Sequence, residues 1–138
     1  LIRHLNFFVR GVLRFGLKRQ NRLTQNIVAG YLAPYDTFEN RIANLKFVQD
    51  IPMEQTVPSY SVIQYIERNL KQFDGYPILI IWGSEDFCFN DKFLNKWREI
   101  FPRAEVHEVC NAGHLVVEDA SDEIIPWIEE FLRKSNIF

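Results

Sequence analysis

The sequence predicts an α/β protein in two unlike parts, a helical stretch followed by a β-α-β-α unit. Three observations carry this. The run Pro77-Ile78-Leu79-Ile80-Ile81-Trp82-Gly83 sets four consecutive aliphatic residues between a proline and a glycine, which reads as a strand covered on both faces. Ala104 to Cys110 places Val106 and Val109 among Glu105, His107 and Glu108, a short strand near a sheet edge. Before residue 73 and after each strand, apolar residues return at spacings of three and four, the mark of helices.

The first helix is expected from Leu1 to Gln20, with Leu1, Leu5, Phe8, Val12 and Phe15 along one stripe and Arg3, Arg10, Arg14 and Lys18 off it. Gly11 and Gly16 weaken it and are candidate breaks. Thr24 is placed to cap a short helix ending near Gly30, and Pro34 then turns the chain. A helix over residues 37–49 starts from Asp36 or Thr37 and stops before Pro52. After a loop from Met53 to Pro58, a helix from Ser59 to Gln72 turns Val62, Ile63, Ile66 and Leu70 inward, and Asp74-Gly75 releases the chain into the first strand. Between the strands a helix from Asp91 to Ile100 holds Phe93, Leu94 and Trp97 inward. The last helix, Ser121 to Lys134, carries Ile124, Ile125, Trp127, Ile128, Phe131 and Leu132. No internal repeat or low-complexity stretch is visible.

With 138 residues, 47% of them hydrophobic and 14% aromatic, the chain has one domain's worth of core and does not read as disordered. A net charge of −2 conceals an asymmetry: residues 1–71 hold ten Lys/Arg and five Asp/Glu, residues 72–138 six and thirteen. The cations are dispersed among large apolar residues and form no dense patch, which argues against nucleic acid as a partner. Two cysteines, Cys88 and Cys110, are too few for a disulfide scaffold, so a reduced cytoplasmic setting and buried free thiols are expected. The first residue is Leu1, so the natural start is expected elsewhere, leaving room for a targeting sequence upstream. No apolar run reaches the length of a membrane span.

Parallel strands joined by a crossover helix send both following loops to the same sheet edge. The first loop carries Asp86 after Gly83-Ser84, and the second carries His114 after Gly113. A carboxylate that accepts a hydrogen bond from one imidazole nitrogen sets the tautomer and leaves the other nitrogen to act as a base. Each residue also has a plainer reading, Asp86 as a turn former or helix cap and His114 as a lone loop histidine. Their placement after successive strands is what makes the pair a candidate site. Gly113 suits a tight turn that brings backbone close to the pocket. Cys88 follows Asp86 by two residues and Cys110 ends the strand before His114, which makes a Cys-His pair conceivable, but neither has a helix N-terminus or a basic neighbour to stabilise a thiolate. Ser59, Ser61 and Ser84 read as turn or capping residues. His4 and His107 show no metal-ligand spacing, His107 reads as a solvent-facing strand residue, and no glycine-rich phosphate loop is present, so no metal or cofactor is expected.

Ile81-Trp82-Gly83-Ser84-Glu85-Asp86-Phe87, then Asn111-Ala112-Gly113-His114 and an amphipathic last helix, resemble the end of an α/β-hydrolase, whose chain order is nucleophile, acid, histidine. Gly30-Tyr31-Leu32-Ala33-Pro34-Tyr35, Phe47-Val48-Gln49-Asp50-Ile51-Pro52 and Gly113-His114-Leu115-Val116-Val117-Glu118-Asp119-Ala120 are similar to the haloalkane-dehalogenase-like branch, which includes β-lactone decarboxylases of olefin biosynthesis. The resemblance implies the C-terminal portion of that fold with an incomplete sheet: residues 1–57 as helical cap, and residues 58–138 as the C-terminal part of the core. It implies Asp86 as the acid and His114 as the base, with Phe8, Phe87 and Leu115 against a hydrophobic small molecule: a haloalkane, lactone, epoxide or ester. No Gly-x-Ser-x-Gly elbow and no strand-to-helix turn with a nucleophilic Asp occurs, so the nucleophile belongs to a missing N-terminal half and the chain alone is expected to be inactive. The other reading is non-catalytic: a helical interaction or membrane-surface module that self-associates through its unpaired sheet edge into a homo-oligomer.

Overall fold

The computed structural model describes residues 2–135. Its helices are α1 (Ile2–Leu5), α2 (Phe7–Gly16), α3 (Gln25–Leu32), α4 (Ile42–Gln49), α5 (Pro58–Asn69), α6 (Asp91–Ile100) and α7 (Val116–Lys134). Its strands are β1 (Leu79–Gly83) and β2 (Glu105–Val109). The strands pair in parallel, from Leu79 opposite Glu105 to Gly83 opposite Val109, with α6 connecting them. Both predicted strands and their relative direction are therefore present.

The sheet core is Val109, Ala112, Ala120 and Ile124, with Ile81, Val116 and Trp127 against it. Strand β1 is half-buried along its length and only Gly83 is fully buried, so it is not covered on both faces as the apolar run predicts. Helix α7 lies against it, and burial on both faces requires helices on both sides. His107 also departs from expectation. It is half-buried, stacked on Trp127 at 4.4 Å, with Nε2 2.8 Å from Glu105 Oε1. Helix α6 starts on an Asn90 cap, whose Oδ1 accepts from the Lys92 amide at 3.1 Å. It buries Leu94 and half-buries Trp97, but Phe93 is exposed, set edge-on to Phe89. Helix α7 begins five residues earlier than predicted and breaks at Ala120 (φ −142°, ψ 34°), so its second part starts at the predicted Ser121. Ile124 is buried there, while Ile125 and Ile128 face outward.

The helical region departs further from its periodicity. The first helix breaks at Asn6, not Gly11: Asn6 takes a left-handed conformation (φ 49°), which a short amide side chain tolerates. Its Nδ2 donates to the Tyr35 carbonyl at 3.2 Å, and its Oδ1 accepts from Asn44. The break after Gly16 is as expected, with Leu17 extended. Val9 and Leu13 of α2 and Leu17 just after it are the buried apolar residues, packed against Val28, Tyr31 and Leu32 of α3. Leu5 and Phe15, on the predicted inner stripe, are exposed, and Leu1 lies outside the described residues. Two apolar stripes run along one helix, and spacing cannot say which one meets a neighbour.

Thr24 caps α3 as expected, Oγ1 accepting from the Ile27 amide at 3.3 Å, although the helix runs past Gly30 to Leu32. Asp36 and Thr37 do not start α4. They cap an isolated turn, accepting from the amides of Thr37 and Asn40, and α4 begins at Ile42. Helix α5 has Pro58 in its first turn and buries none of its residues; Val62, Ile63 and Ile66, expected inside, are exposed. Amphipathic spacing marks a face without supplying a partner for it. Among the described residues, no helix is long and apolar enough to cross a membrane.

Candidate active site

The two loops that leave β1 and β2 are joined before any functional side chain is reached. Past the end of the strands the Ser84 amide donates to the Val109 carbonyl at 3.0 Å, and the Glu85 amide to the Ala112 carbonyl at 2.9 Å. Glycine makes this contact possible. A Cβ on Gly83 would stand 2.3 Å from the Gly113 carbonyl oxygen, and one on Gly113 would stand 2.4 Å from that of Gly16. Three backbones from distant parts of the chain thus stack at a separation that only glycine allows. Gly113 serves close approach, not a left-handed turn. That conformation falls to Asn111 (φ 55°).

On this frame Asp86 Oδ2 lies 3.0 Å from His114 Nδ1. An ionised carboxylate only accepts, so this contact selects the imidazole tautomer with its proton on Nδ1, which leaves Nε2 the lone pair of a base. Asp86 Oδ1 accepts from the amides of Cys88 (2.7 Å) and Phe89 (2.9 Å). The turn-forming reading and the imidazole-orienting reading of Asp86 hold in one side chain, one oxygen for each. Its side chain is 9% exposed against 30% for His114, so the acid is sheltered and the ring remains reachable. Phe89 and Phe87 flank the imidazole, with ring centroids at 5.4 and 6.3 Å.

Phe87 also lines an open apolar cleft of about 520 Å³, together with Phe7, Phe8, Gly11, Val12, Phe15 and Lys18. Phe8, Val12 and Phe15 belong to the apolar stripe read from the sequence, of which Phe8 was expected to meet substrate. That face of α2 walls the cleft, and Phe8 also packs on the Val9, Leu13 and Leu17 cluster. Lys18 is the charged residue of the lining and pairs with Glu85 at 3.3 Å, beside the acid. Of the three residues expected to meet substrate, Phe8 and Phe87 line the cleft. Leu115 does not: it packs on the Val9, Leu13 and Leu17 cluster, and its amide donates to the Gly16 carbonyl at 3.0 Å. Cys88 and Cys110 are exposed, not buried as expected. Ser59 and Ser61 donate to the carbonyls of Asp50 and Pro58, and Ser84 lies in the turn after β1.

Sequence reasoning passed over two carboxylates that follow His114. Glu118 Oε1 accepts from the Tyr31 hydroxyl at 2.9 Å, and burial followed by that carboxylate pushes the Tyr31 phenol above its ordinary value. Asp119, fully buried, accepts from backbone amides of other segments, those of Lys18, Arg19 and Gly113. From the sequence both lie just before the helix expected from Ser121; the structure puts them in the first turn of α7, where acids are common for dipole reasons, so nothing local sets them apart.

The family model described as alpha/beta hydrolase fold matches residues 2–121. The chain belongs to this family. Within the alpha/beta hydrolases it is 42% identical over 135 residues to a cis-3-alkyl-4-alkyloxetan-2-one decarboxylase of Shewanella oneidensis, covering 98% of this chain and 42% of that protein. It is 28% identical over 127 residues to haloalkane dehalogenase 2 of Mycobacterium bovis, covering 91% and 42%. The crystal structure of haloalkane dehalogenase DbeA from Bradyrhizobium elkani superposes with a TM-score of 0.78 at 23% identity, over 97% of this chain and 47% of that one. The chain is thus similar both to a decarboxylase and to haloalkane dehalogenases. The chain spans less than half the length of each of these proteins.

Proposed function

We propose that these residues supply the acid and the base of a nucleophile-histidine-acid triad that acts on a hydrophobic small molecule. The observation that carries the reading is the hydrogen bond between Asp86 and His114, held at a shared loop edge beside an apolar cleft. Residues 1–57 then serve as cap, with Phe8, Val12 and Phe15 of α2 turned toward the substrate. The nucleophile and the oxyanion donors belong to the part of the fold that the relatives carry beyond these residues, so the chain alone is inactive.

The proposed chemistry is nucleophilic catalysis with an aspartate. Its carboxylate oxygen bonds to a substrate carbon as the bond from that carbon to the leaving group breaks: a halide departs with the electron pair, whereas in an oxetan-2-one the ring C–O bond breaks and the carboxylate so released stays tethered to the enzyme ester. His114 Nε2 then takes a proton from water as the oxygen attacks the ester carbonyl, and Asp86 stabilises the resulting imidazolium through Nδ1–H. Among candidate substrates an alkyl-substituted oxetan-2-one is favoured over a haloalkane, because identity to the decarboxylase is 42% and to the dehalogenase 28%. Its alkyl substituents suit an apolar cleft that has one charged residue in its lining.

The test is His114→Ala in the full natural protein, assayed with a cis-3,4-dialkyl-oxetan-2-one and with a haloalkane of matched chain length. Turnover of the preferred substrate is expected to vanish and, with an aspartate nucleophile, the covalent ester to accumulate in the mass spectrum. Undiminished turnover would remove His114 from the mechanism.

A further inference from the structure

We infer that Asp119 is the positioning residue of His114, and that through it the imidazole and the wall of the apolar cleft are held as one unit. The inference rests on the proposed role of His114 as general base.

Asp119 is completely buried, yet no Lys or Arg side chain is among its hydrogen-bond partners. A buried carboxylate without a cation is unfavourable unless dipoles replace the lost water, and here three backbone amides do so. Oδ2 accepts from Gly113 at 2.7 Å, Oδ1 from Arg19 at 2.8 Å, and both accept from Lys18 at 3.1 Å. None of these donors lies in α7 itself. Helix capping, the ordinary reason for an acid in a first turn, therefore does not account for it.

The donors belong to the two segments whose relative position matters most to the candidate site. Gly113 immediately precedes His114. Lys18 and Arg19 leave α2, and Lys18 lines the cleft. On the other side of the histidine, the Leu115 amide is held by the Gly16 carbonyl at 3.0 Å. His114 is thus bracketed: the residue before it is fixed by Asp119, the residue after it by the end of α2, and its ring by Asp86. Glu118, one residue before Asp119, ties Tyr31 of α3 to the same short segment. Residues 113–119 act as a strut between the helical region and the sheet edge, with the carboxylate of Asp119 as its joint.

The isosteric variant Asp119→Asn separates positioning from bulk stability. Whichever way the amide turns, its NH2 faces a backbone N–H, at the Gly113 end or at the Arg19 end, and the joint opens there. In the full natural protein, kcat is expected to fall about a hundredfold through misplacement of the imidazole, with KM changed less than about twofold. Single-turnover kinetics should show formation of the covalent ester unchanged and its hydrolysis slowed. A folded Asp119→Asn protein with normal kcat, or one in which both steps slow equally, would overturn the inference. His114→Ala is measured beside it: retained turnover there would refute the general-base role itself, whereas a dead His114→Ala with a fully active Asp119→Asn would refute only the positioning. Hydrogen exchange on the wild-type protein adds an arm that needs no variant to fold. The amides of Gly113, Lys18 and Arg19 should exchange together among the slowest of the molecule, and a Gly113 amide exchanging as fast as an open loop would sink the joint.

Discussion

Residues 2–73 and residues 79–134 reach their positions by different physical means. In the β-α-β-α unit main chain meets main chain: the strand ladder continues past both strands into the loops, and glycine lets backbones touch. In the helical region long polar side chains hold carbonyl groups. Arg41 donates to the carbonyls of Arg3, His4, Tyr35 and Asp36, Gln20 to those of Leu13, Arg14 and Leu17, and Asn6 to that of Tyr35. A ladder distributes its cohesion over many equivalent bonds, whereas a side-chain anchor concentrates it in one residue. The sheet edge is therefore built for fixed geometry, and the helices for placement that a few residues can alter.

If the sheet edge is the rigid half, its most sensitive reporter is the acid. Asp86→Asn keeps the shape but leaves the imidazole without its anionic partner, and turnover in the full natural protein is expected to drop by up to about 10⁴-fold. Stopped assays with the wild-type protein as reference measure this, and a loss below tenfold would mean that Asp86 is only a turn former. Next comes the backbone contact itself. Gly83→Ala must displace the Gly113 and Ala112 carbonyls, at a cost of about 3 kcal/mol in stability, read from the denaturant midpoint. An unchanged midpoint would show that the stacked loops yield easily, and the contrast between the two regions would fail.

On the helical side, Arg41→Ala releases four carbonyls at once, and about 2 kcal/mol is expected. The loss should show first as faster amide exchange in α1 and α4 and leave β1 and β2 protected. Uniform acceleration would mean that the two regions unfold as one. The smallest effect joins the regions. Tyr31 has its phenol pKa raised above 10.0, first by burial and then by Glu118. The unfolded chain therefore loses this proton at lower pH than the folded one, and the associated stability is complete below about pH 10 and disappears as pH rises through the higher folded value. Tyr31→Phe should flatten that alkaline limb, and titration of the unfolding midpoint between neutral and alkaline pH checks it.

The same division governs what could be read from the residues alone. Helix α6 matches its expected bounds, β2 falls within the predicted stretch, and the break in α7 coincides with the predicted start at Ser121, because each is set by local chemistry: an Asn cap, a short alternating run, a departure from helical dihedrals at Ala120. In the helical region the errors share one cause. Along α2 two apolar stripes compete, and α3 takes Val9 and Leu13 while Val12 and Phe15 are left to the cleft and Phe8 meets both. The break at Asn6 likewise depends on Tyr35 and Asn44, far away in sequence.

By itself the sequence determined the α/β class, the two parallel strands, and the pairing of a carboxylate loop with a histidine loop, since these follow from local periodicity and the geometry of a crossover. Which face of α2 is buried, that Leu115 leaves the cleft, and that Asp119 holds the backbone before His114 were decided by tertiary structure alone. A side chain's partner across the fold is chosen by which surfaces come within a few ångströms. That distance is a property of the assembled chain and is written in no single stretch of it.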